Sequence, residues 1–177
     1  MAPKTLPSRD LVRQLLHYDV ATGEFTWLRR PREMFTCQRQ FLYWNGRYVG
    51  KQAGCIAPNG YHVITLNAGS FKIHRLAWLY VYGEPVPTEI DHIDRDKRNN
   101  RISNLRAATA SQNQANRTPI RTASGVKGVR PYKGSFRAYI RLNGTGFHLG
   151  TFSTIEEAAA AYREAAIRLQ GEFACWD

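Results

Sequence analysis

Cysteine is scarce in this chain. Cys37, Cys55 and Cys175 stand far apart, with no C-x-x-C pair. That excludes the usual structural zinc site and leaves no disulfide framework to expect. An odd number of scattered thiols suits a reducing cytoplasm, and all three read as small core residues. Long apolar runs are missing too, since no stretch approaches the roughly 18 residues that a membrane span requires. No apolar segment follows Met1-Ala2-Pro3-Lys4, so no secretory signal is expected. No basic amphipathic helix with a broad apolar face offers itself to a membrane surface. Acidic residues are few, 14 against 25 Lys and Arg, for a net charge of +11.

That surplus is the most informative bulk property. A positive field of this size attracts polyanions and speeds encounter with them, so nucleic acid is the first partner to consider. The hydrophobic share of 43% and charged share of 22% are those of a folded chain, and 177 residues allow one medium domain or two small ones.

Three regions separate along the chain. In the first, Ser8 can cap a short helix whose Leu11, Val12, Leu15 and Leu16 share one face. A hairpin-like stretch follows, turning at Gly23 before Phe25-Thr26-Trp27-Leu28. Arg29-Arg30-Pro31-Arg32 is either a phosphate contact or a solvated loop, and Phe41 to Cys55 is rich in glycine and aromatics without a clear period. In the second region, Tyr61 to Leu66 alternates like a strand, Asn67 to Ser70 reads as a turn, and Phe71 to His74 as the returning strand. Arg75 to Tyr82 reads as a helix stopped by Gly83 and Pro85. A polar, basic linker, Arg117 to Ser124, then leads to strands between Val126 and Phe152. The last element is a helix with Thr154 and Glu157 as capping box and Gly171 as stop. Its apolar face is Ile155, Ala158, Ala159, Tyr162, Ala166 and Leu169.

The chemistry-bearing stretch is Glu89-Ile90-Asp91-His92-Ile93-Asp94, a polar loop, Ser103-Asn104-Leu105, and Ala107 to Asn113. Adjacent strand residues point to opposite faces, so Asp91 and His92 serve one site only if the strand ends or bends there. The turn-like Asp94-Arg95-Asp96 predicts that it does. The loop carries Arg95, Lys97, Arg98 and Arg101, with Asn99 and Asn100 suited to tight turns. Leu105 to Ala108 can pair back as a strand. Thr109 and Gln112 form a capping box that opens a helix through Asn116, with Asn113 in its first turn.

These residues resemble the HNH endonucleases of the ββα-metal fold, and most of all their bacteriophage homing-type members. The resemblance is carried by His74-Arg75-Leu76-Ala77-Trp78, Ile90-Asp91-His92-Ile93-Asp94, Asn99 to Arg106 and Ser111 to Asn116. It reaches back to about Leu11 through Tyr18-Asp19, Gly23 and Trp27. It implies a general base, His92, and one divalent cation held by Asp91 and the amide oxygen of Asn113. It also implies that Asn104 braces the loop and orients His92. The cation would be Mg²⁺, with Mn²⁺ as the alternative. Where family members often carry His at the third motif position, this chain has Asn113, a weaker ligand. Arg75 is a candidate for the scissile phosphate, and Lys97, Arg98 and Arg101 for DNA contact. For His74 a structural hydrogen bond is expected rather than metal binding. Asn100 and Asn116 are expected to serve turns or DNA contacts.

From Arg121 to His148 there is no acidic residue. Period-2 reading places Phe136, Ala138, Ile140 and Leu142 on one sheet face, ready to pack on an alanine-rich helix, and Arg137, Tyr139 and Arg141 on the other. This stretch resembles the AP2 DNA-binding domain through Gly125 to Arg130, Phe136 to Ile140, His148 to Phe152, Glu157 to Tyr162 and Gly171 to Ala174. The resemblance implies a three-stranded sheet laid in the major groove, with Lys127, Arg130, Tyr132, Lys133, Arg137, Tyr139, Arg141 and His148 facing DNA. Arg117 and Arg121 of the linker are expected to lie along a groove.

The expected fold class is thus α+β. A ββα-metal nuclease domain with an N-terminal α/β extension spans 1–117, its core at about 61–117. A linker covers 118–124, and an AP2-like antiparallel sheet packed on one helix covers 125–177. The expected function is metal-dependent cleavage of double-stranded DNA by a monomer or weak homodimer in the cytoplasm, that of a bacterial host if the chain is a phage protein. No small-molecule cofactor is expected. Two rivals remain: a DNA-binding regulator with an inactive nuclease part, and a packaging protein that uses charge alone.

Overall fold

The computed structural model describes residues 5–66, 69–118 and 123–176. It divides into two compact units, Met1–Arg106 and Ala107–Asp177.

The first unit opens with α1 (Arg9–Leu15), capped by Ser8, whose Oγ accepts from the Leu11 N–H at 3.3 Å. Val12, Leu15 and the following Leu16 are fully buried, at about 1.5–3 kcal/mol each for large side chains removed from water. β1 (Leu16–Asp19) and β2 (Glu24–Trp27) form the expected antiparallel hairpin, with Tyr18 opposite Phe25. The loosely assigned stretch after it holds an unforeseen helix, α2 (Gln38–Tyr48), which buries no residue completely. A three-stranded sheet follows, ordered β3 (Cys55–Ile56), β4 (His62–Leu66), β5 (Gly69–Lys72). Gly69 and Ser70 belong to β5, while the rest of the expected turn, Asn67 and Ala68, lies outside the described residues.

Helix α3 (Ile73–Tyr82) starts two residues earlier than expected, so His74 lies in its first turn and not on a strand. The reason is packing: Ile73, Leu76, Ala77 and Leu79 enter the same core as Val12, Leu15, Phe25 and Ile64. Gly83, at φ 83°, ends the helix. Arg9 donates to the carbonyls of Tyr80 and Val81 and Arg13 to that of Tyr80, placing cations at the helix C-terminus where the last carbonyls need donors. β6 (Glu89–His92) and β7 (Leu105–Ala108) make a two-stranded sheet, joined by a loop and a 3₁₀ turn over Ile102–Asn104.

The second unit contains α4 (Ala110–Ala115), opened by the expected Thr109–Gln112 capping box. The sheet order is β10 (Thr145–Phe152), β9 (Ser135–Leu142), β8 (Val129–Tyr132), all antiparallel. α5 (Ile155–Gln170) packs on it, capped by Thr154 and Glu157 and stopped by Gly171. Ala138, Ile140, Ala158, Tyr162, Ala165 and Ala166 are buried between them. Leu169 does not join this core, being 37% exposed; Ala165 takes that part of the face instead. α4 falls in this unit rather than before a boundary at Arg117. Lys127 Nζ bonds the carbonyls of Ala115 and Arg117, and the Asn143 N–H bonds Ser111 Oγ at 2.9 Å. Of the three cysteines, only Cys175 is buried. Cys37 and Cys55 are exposed, because neither α2 nor the two-residue β3 is covered at those positions.

The hairpin turn bears on the site directly. Gly23 has φ 77°, and a Cβ there would lie 2.3 Å from the Arg101 nitrogen and 2.5 Å from the Asn100 carbonyl carbon. Tyr18 Oη donates to the Asn100 carbonyl at 2.7 Å, and Arg101 Nε to that of Ala21 at 2.6 Å. Gly23→Ala therefore pays for a left-handed backbone and for a backbone clash. Gly50→Ala, at φ 76° with open space around it, carries only the backbone cost of about 1–2 kcal/mol. Urea unfolding of both variants should show Gly23→Ala the more destabilised by at least that much again; equal losses would mean the turn is not seated on the loop.

Candidate active site

β6 stops at His92. The Arg95 N–H bonds the His92 carbonyl at 2.9 Å, and Arg95 takes φ 69°, so the chain turns sharply there. Asp91 and His92 are both buried, 4% and 6% exposed, and their side chains meet different partners. Asp91 Oδ2 accepts from Arg106 Nε at 2.9 Å and Nη2 at 2.8 Å. His92 Nε2 lies 3.2 Å from Asn100 Oδ1.

The loop after β6 is organised by one carboxylate. Asp94 Oδ1 accepts from the Asp96 N–H at 2.9 Å and from Asn104 Nδ2 at 2.8 Å, and its Oδ2 accepts from Asn99 Nδ2 at 2.6 Å. Asn104 Oδ1 accepts from the Asp94 N–H at 3.1 Å, and Asn104 Nδ2 also donates to the Asn99 carbonyl at 2.9 Å. Burial would raise the Asp94 carboxyl, but the bonds from Asn104, Asn99 and the Asp96 N–H hold it below the usual carboxylate range. It stays charged, and the loop keeps its shape.

Asn100 is delivered by that loop and is 1% exposed. Its Nδ2 donates to the Arg98 carbonyl at 2.9 Å, which turns Oδ1 towards His92. An amide oxygen only accepts, so His92 Nε2 carries the proton and Nδ1 is the basic nitrogen. Burial lowers the His92 pKa from its ordinary value, against the opposing bond to Asn100 and the nearby Asp94, Asp91 and Asp96. The ring is thus neutral at pH 7. His74 meets it edge-on, centroids 5.0 Å apart at 87°, and Tyr61 lies 5.4 Å from His74 and 6.3 Å from His92. His74 Nδ1 is buried with no hydrogen-bond partner among the described residues, against the expected structural hydrogen bond. Burial, with the charges of His92, Lys72 and Arg75, pushes its pKa down to about 3.

The other expected site residues divide as follows. Asp91, His92 and Asn104 are gathered in the first unit, where the bonds of Asn104 run to Asp94 and Asn99, and the amide on His92 belongs to Asn100. Asn113 stands in the second unit, half-buried on α4, its N–H bonded to the Thr109 carbonyl. Arg75 Nη1 bonds the carbonyls of Pro87 and Thr88, which anchors the approach to β6. Lys97 Nζ bonds the Asn59 carbonyl and lies 4.8 Å above the Tyr61 ring. Arg98 and Arg117 are exposed, Arg101 is tied to Ala21, and Arg121 lies outside the described residues. Sequence reasoning gave Asn100 a turn or DNA role. The Asn99-Asn100 pair was the available signal, but only the fold shows that one amide goes to the loop and the other to the histidine.

On the second unit's sheet, Arg130 pairs across from Arg137 and Tyr139 from His148. The Arg137 guanidinium lies 3.2 Å from the Tyr132 ring centre, and the Tyr139 and His148 rings are 5.0 Å apart. Arg130, Tyr132, Lys133, Arg141 and His148 are exposed, Arg137 and Tyr139 half-buried. Lys127 is placed differently from the expectation. Its ammonium caps the C-terminal end of α4, where unpaired carbonyls attract a cation.

Comparison with known proteins identifies the family. The sequence profile of the HNH endonuclease family matches residues 71–115, the stretch from β5 to α4. An uncharacterized HNH endonuclease of Acanthamoeba polyphaga mimivirus is 36% identical over 129 residues, covering 71% of this chain and 67% of the relative. The chain belongs to the HNH endonuclease family. No solved structure matches it significantly.

His74 gives this site a pH signature. It is neutral when folded down to about pH 3, but the unfolded chain takes up the proton below about 6.5. The unfolded state then binds more protons, so stability falls as pH drops from 6.5 towards 3, by on the order of 4 kcal/mol from this group. Unfolding free energies measured across that range should fall less steeply for His74→Gln than for the parent; parallel curves would mean that His74 is already charged in the fold.

Proposed function

We propose that this chain is a metal-dependent DNA endonuclease in which His92 removes a proton from the attacking water. The observation that carries this is the buried His92, held through Nε2 by Asn100 and followed in the chain by a loop tied together through Asp94. The water gives its proton to Nδ1 of His92. Its oxygen attacks phosphorus, the bond to the 3′-oxygen breaks, and the departing oxygen takes a proton from solvent water. A general base of this kind is typically worth about 10²–10⁴-fold.

Asp91 and the amide oxygen of Asn113 are the proposed holders of one divalent cation, Mg²⁺ or Mn²⁺. The donor chemistry fits: both are hard oxygen ligands, and Mg²⁺ binds through one or two protein groups while keeping several waters. Among the described residues no three His, Cys, Asp or Glu side chains form a metal-holding group. Asn113 is proposed from the resemblance of the motif, and the family match spans both residues. Such a cation supplies charge stabilisation at the phosphate and the leaving oxygen. Arg106 holds Asp91 in place by two bonds to one oxygen and offsets part of its charge.

The sheet face of the second unit is proposed to select the site in the manner of an AP2 domain, with Arg130, Arg137, Tyr139, Arg141 and His148 towards the groove. One catalytic centre per chain cuts one strand, so a monomer nicks; a homing role in a phage follows from the resemblance alone. The Arg106–Asp91 ion pair favours one second reading, a DNA-binding regulator whose nuclease centre is idle.

Supercoiled plasmid separates the two. With Mg²⁺ the parent should yield nicked circles and with EDTA none. His92→Ala should lose cleavage by at least about 10²-fold while retaining DNA affinity. Binding without scission under any divalent metal would leave only the regulator. On the sheet, Arg130→Ala or Arg141→Ala should relax sequence preference at a cost of about 1–3 kcal/mol on the preferred site. A uniform loss on all sequences would reassign that arginine to a phosphate.

A further inference from the structure

Outside the stretch matched by the family profile, the first unit carries a second basic surface. Between Arg29 and Lys51 there are six basic residues and one acid, Glu33. This is the segment of α2, the helix that buries nothing completely.

The surface is held rigid by its inner side. The Arg30 guanidinium lies 3.9 Å from the Trp44 ring centre and 4.9 Å from that of Trp27, and the two indoles meet edge-on. Asn45 Oδ1 accepts from the Arg30 N–H at 2.9 Å, and Asn45 Nδ2 donates to the Arg30 carbonyl at 3.2 Å. Trp44 also meets Phe35 and Tyr48, and Phe41 meets Phe35. By helical spacing Phe41, Trp44, Asn45 and Tyr48 therefore form the attached side.

The opposite side carries Arg39, Leu42, Tyr43, Gly46 and Arg47, all exposed. Leu42 and Tyr43 are 56% and 62% exposed, high for large apolar groups. Arg47 Nη1 donates to Tyr43 Oη at 2.7 Å, which aims the guanidinium, and among the described residues it forms no ion pair. Arg39 and Arg47 are two turns apart, about 12 Å along the axis. Beside the helix lies a hollow of about 420 Å³ lined by Arg29, Arg30, Arg32, Glu33 and Phe41. Arg30 Nε is buried with no partner among the described residues, and burial lowers the Arg30 pKa.

We propose that the outer face of α2 and this arginine-lined hollow form a further DNA-contact surface of the nuclease unit, engaging phosphates of the substrate duplex beyond the cleavage site. The proposal rests on the reading of the chain as a DNA-binding nuclease. The charge is one-sided and the partner it fits is a polyanion. Arginine with aromatic side chains suits phosphate and sugar better than an apolar protein face. Because Trp27, Trp44 and Asn45 already order the helix, binding there carries little ordering cost.

The test measures affinity of the full chain for a duplex in EDTA, where cleavage plays no part, as a function of salt. Arg39→Gln with Arg47→Gln should weaken binding by about tenfold or more and reduce the slope of log affinity against log salt by about 2, one released counterion per lost contact. Arg163→Gln with Arg168→Gln removes the same charge from α5 and should change the slope less. Both substituted pairs are at the surface, and unchanged circular dichroism spectra will show that the fold is kept. Equal slopes for the two double variants would overturn the proposal. So would a sedimentation change showing that the α2 face joins two copies, or a loss seen with single-stranded RNA and not with duplex DNA. If the α2 variant loses affinity and slope while no preparation ever cuts DNA, the docking surface stands and the nuclease reading falls. If cleavage is metal-dependent and the slope is unaltered, the reverse holds.

Discussion

The candidate site depends on one carboxylate. Asp94 receives bonds from Asn104, Asn99 and its own loop backbone, and that lattice fixes where Asn100 stands. Asn100 in turn decides which nitrogen of His92 carries the proton. The acid that matters structurally is therefore neither the proposed ligand nor the base. The loop also receives support from outside, through Tyr18, Ala21 and Gly23 of the first hairpin. The N-terminal hairpin is in this sense part of the scaffold of the candidate site.

Electrostatics and burial act together here. A histidine in water is partly charged near neutrality, and a base that already holds a proton is idle. Burial beside His74 and Tyr61 keeps His92 neutral, and the three aspartates nearby oppose that shift. The rest of the chain has the opposite character. Arginine over tyrosine or tryptophan recurs on the second unit's sheet and around α2, where flat cations lie on rings and leave an edge for an anion.

Much of this was legible in the sequence, for identifiable reasons. Capping boxes at Thr109 and Thr154 and the stop at Gly171 use local chemistry, so they could be located to the residue. Alternation from Phe136 to Leu142 sorted the two faces of β9 correctly, because a strand with one buried face has a period of two. Helix α2 is harder to read because its attached side is aromatic and cationic, Phe41, Trp44 and Tyr48 beside Asn45 and Arg30, and it buries no residue completely. The start of α3 was misplaced because Ile73 and His74 read as well in a strand as in a helix, and only the core decides. The partner of His92 was invisible for a similar reason. Asn99, Asn100 and Asn104 are chemically alike, and the path of the connection from β6 to β7 chooses among them. The AP2 resemblance puts Lys127 on DNA by position, whereas its ammonium lies at the end of the six-residue α4.

The central claim is that Asn100 holds His92 as a neutral ring protonated on Nε2. Nitrogen-15 NMR of the imidazoles reads this directly. The account predicts that His92 at pH 7 shows a protonated Nε2 and an unprotonated Nδ1, and that Asn100→Ala removes that preference while the fold persists. An imidazolium at pH 7, or the opposite tautomer in the parent protein, would contradict it.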